Sequence, residues 1–153
     1  MKIIYKDEEG GLSVVVPAPK YVNQLVRTKS FKSLVEIGVF IAEKDVPKGL
    51  EYHVVDDPMI PSDRTFRNAW ELKDKKLNIN LDKSKLIAHE KRRDARAKEF
   101  IPFDNIISKQ IPGSDSTIAE VERSKIRTKY DNMQISMDKA LNVDILKKLM
   151  PVE

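Results

Sequence analysis

The stretch Val54–Asp82, VVDDPMIPSDRTFRNAWELKDKKLNINLD, decides how this chain is read. It holds the single tryptophan, Trp70, and a Pro58-x-x-Pro61 turn. The prolines impose an extended, turning path. Ser62 and Asp63 follow, residue types whose side chains bond backbone amides just ahead and start a short helical turn. Phe66, Ala69 and Trp70 recur at spacings of three and four, so they share one face. Trp70-Glu71-Leu72 and Leu77-Asn78-Ile79-Asn80 then flank Lys73-Asp74-Lys75-Lys76 as a strand pair around a turn. Upstream of this stretch the chain is strand-like, and downstream it is rich in helix formers. The expected class is therefore α+β, with a small, mainly antiparallel sheet domain over residues 1–81 and a helical region over 82–153. Trp70 reads either as the core anchor that closes the front domain or as an anchor of an interface.

Toward the N-terminus, Lys2–Asp7 and Leu12–Val16 carry β-branched and aromatic residues on both sides of Glu8-Glu9-Gly10-Gly11, which predicts a hairpin. Pro17 and Pro19 end its second strand, because neither can donate to a ladder. Tyr21–Thr28 is ambiguous. Over LVEIGVFIAEKD, length favours a buried helix and Val/Ile/Phe content favours a strand. Ser30 or Ser33 is placed to cap such a helix, and Glu36 completes a capping box with Ser33. Pro47 and Gly49 close the segment, and Tyr52-His53-Val54-Val55 alternates as a strand. One helix laid over a small sheet is the expected front architecture.

Toward the C-terminus, Asp82 is a good N-cap for KLIAHEKRRDARAKEF. The span His89–Glu99 has almost no large apolar side chain, so this helix is either solvated or packed on a neighbour that accepts charge. Pro102 is expected to kink or end it. Phe100, Ile101, Phe103, Ile106 and Ile107 form the first dense apolar patch of the back half. After the Ile111-Pro112-Gly113-Ser114 turn, Asp115 or Ser116 caps the next helix. Along that helix Ile126, Tyr130, Met133, Met137 and Ala140 recur at 4, 3, 4, 3, the spacing of a seam for another helix. The seam serves either a hairpin within one chain or a homo-oligomer through the C-terminal helices. Asn142 or Asp144 starts a last turn, stopped by Pro151.

At 153 residues, 41% hydrophobic and 34% charged, the chain can bury a core, but not a large one. The net charge of +4 is spread among interleaved acids and bases. A polyanion surface would draw on Lys91, Arg92, Arg93, Arg96 and Lys98, but Glu90, Asp94 and Glu99 sit among them and aromatics for stacking are missing. Nucleic acid is therefore not the expected partner. The absence of cysteine closes disulfide and thiolate chemistry. His53 and His89 have no orienting partner in sequence, and Asp56-Asp57 before Pro58 reads as a turn more simply than as a cation site. No nucleotide-, metal- or hydrolase-type motif occurs, so no catalytic residue, metal or cofactor is expected. No apolar run is long enough for a membrane span, and MKIIYKDEEGG carries acids where a signal peptide needs its apolar stretch. The expected setting is the interior of a cell or a particle assembled there.

Tyr52-His53-Val54-Val55-Asp56-Asp57, followed by Ile60-Pro61-x-Asp63-Arg64-Thr65-Phe66-Arg67-Asn68-Ala69-Trp70-Glu71, resembles a family of small proteins of tailed bacteriophages and prophages. Val46-Pro47-Lys48-Gly49 upstream, the basic run Asp82–Arg96 and the closing Val143–Pro151 extend the resemblance over most of the chain in order. Between Glu99 and Asn142 the chain departs from it: Phe100-Ile101-Pro102-Phe103 and the Met-bearing seam replace Ala-rich helices. The resemblance implies a non-enzymatic structural protein, a minor tail or tail-fibre adaptor in the virion, made in the host cytoplasm and bound to other phage structural proteins. A tail or tail-fibre assembly chaperone not retained in the virion is the alternative, and a nucleic-acid-binding packaging or regulatory factor the third. The expected contact residues are Trp70, Phe66, Phe100, Phe103, Ile126, Tyr130, Met133 and Met137.

Overall fold

A computed structural model describes residues 1–28, 31–74, 76–109, 113 and 115–152. Ser30, Lys75, Ile111, Pro112 and Ser114, which the sequence reading placed in a cap or in turns, lie outside the described residues. The chain forms two compact units, Met1–Asn80 and Leu81–Glu153.

The front unit is built on a three-stranded antiparallel sheet in the order β2-β1-β3, with β1 Lys2–Lys6, β2 Leu12–Val15 and β3 Tyr52–Val55. The β1–β2 turn closes as the sequence predicts. Asp7 accepts from Gly10 N through its carbonyl (3.0 Å) and from Gly11 N through Oδ1 (2.6 Å). Gly10 sits at φ +82, a region open to glycine without a Cβ penalty.

Side chains alternate across a strand, yet Ile3 and Ile4 are both essentially inaccessible. The reason is that both faces of the sheet are covered. Ile3 packs with Leu25, Ile37, Ile41, Ala42 and Val46 under two helices, α1 (Pro19–Thr28) and α2 (Leu34–Asp45). Ile4 packs with Val55, Ile60 and Trp70 under a second hairpin, β4 (Trp70–Lys73) with β5 (Lys76–Ile79).

Two helices thus cover one face where the sequence suggested one. The segment left open, Tyr21–Thr28, is helical. Pro19 stands at its first position, where a missing N–H costs nothing. α2 is a helix capped by Ser33, whose hydroxyl accepts from Glu36 N (3.2 Å), while Glu36 Oε2 accepts from Lys32 N (2.7 Å). Gly38 lets α2 lie close on β3: a Cβ there would come within 2.6 Å of Val54 Cγ1.

The Asp63–Glu71 motif works as a fastener inside this unit. Asp63 Oδ1 accepts from Thr65 N (2.9 Å) and Thr65 Oγ1 (2.6 Å), shaping the turn. A 3₁₀ turn, Arg67–Ala69, follows and puts Phe66, Ala69 and Trp70 inside at 2% exposure or less. Asn80 N donates to the Ala69 carbonyl (2.8 Å) and Asn80 Nδ2 to Glu71 Oε2 (3.0 Å), tying the end of the unit back to the motif.

The back unit is helical: α3 (Leu81–Lys109), α4 (Ser116–Asp138) and α5 (Val143–Leu149), with α3 and α4 paired as a hairpin and α5 packed on both. α3 starts one residue before Asp82, which falls in its first turn and offsets the exposed N–H groups there. Pro102 does not end α3. The carbonyl it leaves without a donor, four residues back, belongs to exposed Lys98, where water can serve it, and Phe103, Ile106 and Ile107 remain half-buried beyond it. Asp115 caps α4 through Thr117 N (2.7 Å), and Asn142 caps α5 through Ile145 N (2.9 Å).

Trp70→Ala is expected to cost about 3–5 kcal/mol of folding stability by chemical denaturation, as for a large buried aromatic. The indole Nε1 is enclosed without an acceptor, so Trp70→Phe should cost clearly less. Gly38→Ala gains helix propensity but collides with Val54; the collision should win, leaving the variant about 1–2 kcal/mol less stable in the same measurement.

Candidate protein interface

The seam read along α4 closes within the chain. Ile126, Tyr130 and Met137 are buried on a helix that packs on α3 and α5, and Ala119 and Ala140 at the ends of the row are buried too. The buried residues of α3 are Ser84, Ala88 and Arg92. Two of these are small.

The third is a cation, and the structure shows how it is accommodated. Arg92 Nη1 donates to the Tyr130 carbonyl (3.1 Å) inside the hairpin. Tyr130 Oη donates to Glu99 Oε1 (2.7 Å), and Lys129 Nζ donates to the same oxygen (2.6 Å). At the other end Lys85 Nζ donates to the Asp138 carbonyl (2.8 Å), and His89 Nε2 lies 2.9 Å from Asp138 Oδ1. The polar middle of α3 is thus not merely solvated; it is docked through its charges. The bonds from Lys129 and Tyr130 hold the Glu99 carboxyl below the usual range. Burial, with the bond to Glu99, pushes the Tyr130 phenol up to about 12.

Beyond this point the hairpin carries a cluster of arginines around one ring. The guanidiniums of Arg96, Arg123 and Arg127 lie 5.3, 5.4 and 5.9 Å from the centroid of Phe100. Glu120 links two of them, accepting from Arg123 Nη1 and Arg127 Nη1 at 2.8 Å each. Arg123 Nε also pairs with Asp104 Oδ1 at 2.9 Å, without hydrogen-bond alignment.

Of the eight contact residues expected from sequence, Trp70 is buried in the front unit's own core, Phe66 is buried as well, and Ile126, Tyr130 and Met137 are buried on α4. Phe100, Phe103 and Met133 are half-buried. The side chains that do face solvent were not among the eight. Ile118, Val121 and Ile135 are at least half exposed on α4, on the side away from the buried row. Leu86 on α3 and Leu141 before α5 are 66% and 84% exposed. A groove of about 670 Å³ runs beside α3 and α4, lined by Lys98, Lys129, Met133, Met150, Pro151 and Val152 among others. Amphipathic periodicity flags only the stronger of two faces, which is why the outer face of α4 escaped notice. The five bases weighed for a polyanion do not form one surface, since Arg92 turns into the hairpin.

Among the described residues no group of three or more His, Cys, Asp or Glu side chains is placed to hold a metal ion. No helix among them is long and apolar enough to cross a membrane. No family model, curated protein or solved structure matches the chain.

The Glu99 carboxyl titrates lower in the fold than in the unfolded chain. Its contribution to stability is therefore present above the ordinary glutamate value, roughly 4.3, and is lost as pH falls through the lowered one. Thermal melts taken from pH 6 to pH 3 should show Glu99→Gln losing less stability than wild type at the acid end, with a lower melting temperature than wild type at pH 6.

Proposed function

We propose that this chain is a non-enzymatic bacteriophage structural protein, a minor tail or tail-fibre adaptor of the virion that acts by binding other phage structural proteins. One observation carries the binding character: after the hairpin has closed its own seam, aliphatic side chains remain exposed along the far side of α4 and at Leu86 and Leu141. Scattered exposed aliphatics are ordinary, but Val121 and Ile135 lie two heptads apart on one helix face, with Ile118 beside them, which is the layout of a helix that meets another surface. The link to tailed phages rests on the resemblance of Tyr52–Glu71. In this fold that segment secures the front core, so the contacts to neighbours fall to the back helices.

An assembly chaperone that leaves before the particle is complete is the second reading. It is favoured by Met133 and Met150 in the groove, since methionine adapts to varied partners and suits reversible binding. Quantitative mass spectrometry of purified virions separates the two. A fixed copy number per particle is the expected result. Presence in infected cells with absence from particles selects the chaperone, and absence of any association with phage structural proteins overturns both.

A further inference from the structure

Arg96 stands apart from the other cations around Phe100. Arg123 and Arg127 are tied to Glu120, and Arg123 also to Asp104. Arg96 has the ring as its contact, 5.3 Å from the centroid, and its Nε is enclosed without an acceptor. Three guanidiniums against two carboxylates leave one positive charge uncompensated on the cluster. A guanidinium held over an aromatic ring has already lost much of its rotamer freedom, so it gains a hydrogen-bonded anion at low entropic cost. Its terminal amino groups present the fork that matches a carboxylate.

We propose that Arg96, positioned on Phe100 beside the Arg123–Glu120–Arg127 bridge, is a docking point for a carboxylate in an acidic segment of a partner protein. This rests on the protein-binding reading above and supplies the chemistry of the partner. A nucleic acid fits less well. Asp104 and Glu120 sit within the cluster and would repel a continuous phosphate track, and Arg92 one turn earlier is turned inward. Exposed Ile101 and Val121, next in sequence to Phe100 and Glu120, offer apolar edges for a protein surface.

The test is titration of the full chain with a hexaglutamate peptide at low salt, followed by the arginine side-chain Nε–H resonances and by calorimetry. The Arg96 signal should shift while that of exposed Arg93 stays in place. Arg96→Gln should weaken binding about tenfold or more, the loss of one charge-assisted bond, with helicity unchanged, and Arg93→Gln should change it less than twofold. Arg96→Lys should not restore it, since a lysine lacks the fork. Equal losses in the two Gln variants would show a diffuse field and overturn the proposal, as would no binding to the folded wild type. Tighter and steeply salt-dependent binding of a single-stranded oligonucleotide would overturn it in favour of a phosphate contact. The resonance shift in wild type decides the matter even if Arg96→Gln misfolds. Virion incorporation is read in particles and this contact in the isolated chain, so failure of one is distinguishable from failure of the other.

Discussion

The back unit depends on one constraint: α3 must pack on α4 although its middle, His89–Glu99, offers almost nothing apolar. Hydrophobic burial is non-directional, so a helix poor in apolar surface is poorly held by it. Hydrogen bonds to ionised groups are directional and, when shielded, worth more than neutral ones. The hairpin therefore takes its register from a few polar links. Arg92 meets the Tyr130 carbonyl, and Glu99 meets the Tyr130 hydroxyl, so one residue of α4 is gripped at two points of α3 seven residues apart. Lys85 and His89 hold the other end through Asp138. A slip of one helical turn would strand Arg92 in the interior without an acceptor, which is a larger penalty than the bond itself gains.

The front unit solves the opposite problem. Its β1 strand is apolar on both faces, and a sheet of three short strands cannot hide that alone. Helices on one side and the β4–β5 hairpin on the other complete the burial. The residues carrying the phage resemblance belong to this closure. Trp70 supplies bulk under the sheet, Asp63 sets the turn ahead of it, and Asn80 fastens the exit. A motif so committed to packing specifies a fold more directly than a partner.

Local signals were readable from sequence wherever the decisive partner lies within a few residues. The Gly10 turn, the Ser33 cap with Glu36 nearby, the β4–β5 pair and the caps at Asp115 and Asn142 are all of that kind. Tyr21–Thr28 stays ambiguous in sequence although Tyr21, Val22, Leu25 and Val26 recur at helical spacing, because Pro19, which can end a strand, can equally open a helix. That α3 does not end at Pro102 escapes a sequence reading for a related reason. The cost of that proline depends on whether the carbonyl at Lys98 can reach water and on what packs beyond, and both are tertiary facts. The candidate site was less legible still. Phe100 and Met133 were singled out, but the clustering of Arg96, Arg123 and Arg127 on one ring joins positions up to 31 apart, and only the register of the hairpin brings them together. The outer aliphatics of α4 went unseen because burial, not sequence, tells which of two stripes is already taken.

On the proposed protein-binding reading, these two kinds of feature would divide the work of recognition. Aliphatic positions on α4 would supply area, which any apolar surface can cover, so they would discriminate poorly among partners. A cation fixed on Phe100 and fenced by Asp104 and Glu120 would discriminate well, since a misplaced neighbour would leave it unmatched or bring like charges together. The same polar register that holds α3 to α4 also fixes the spacing between these features. Partner specificity would then be inherited from the hairpin's internal bonds: a change at Glu99 or Tyr130, remote from any partner, would shift Arg96 on α3 relative to Arg123 and Arg127 on α4 and so blur the pattern presented outside.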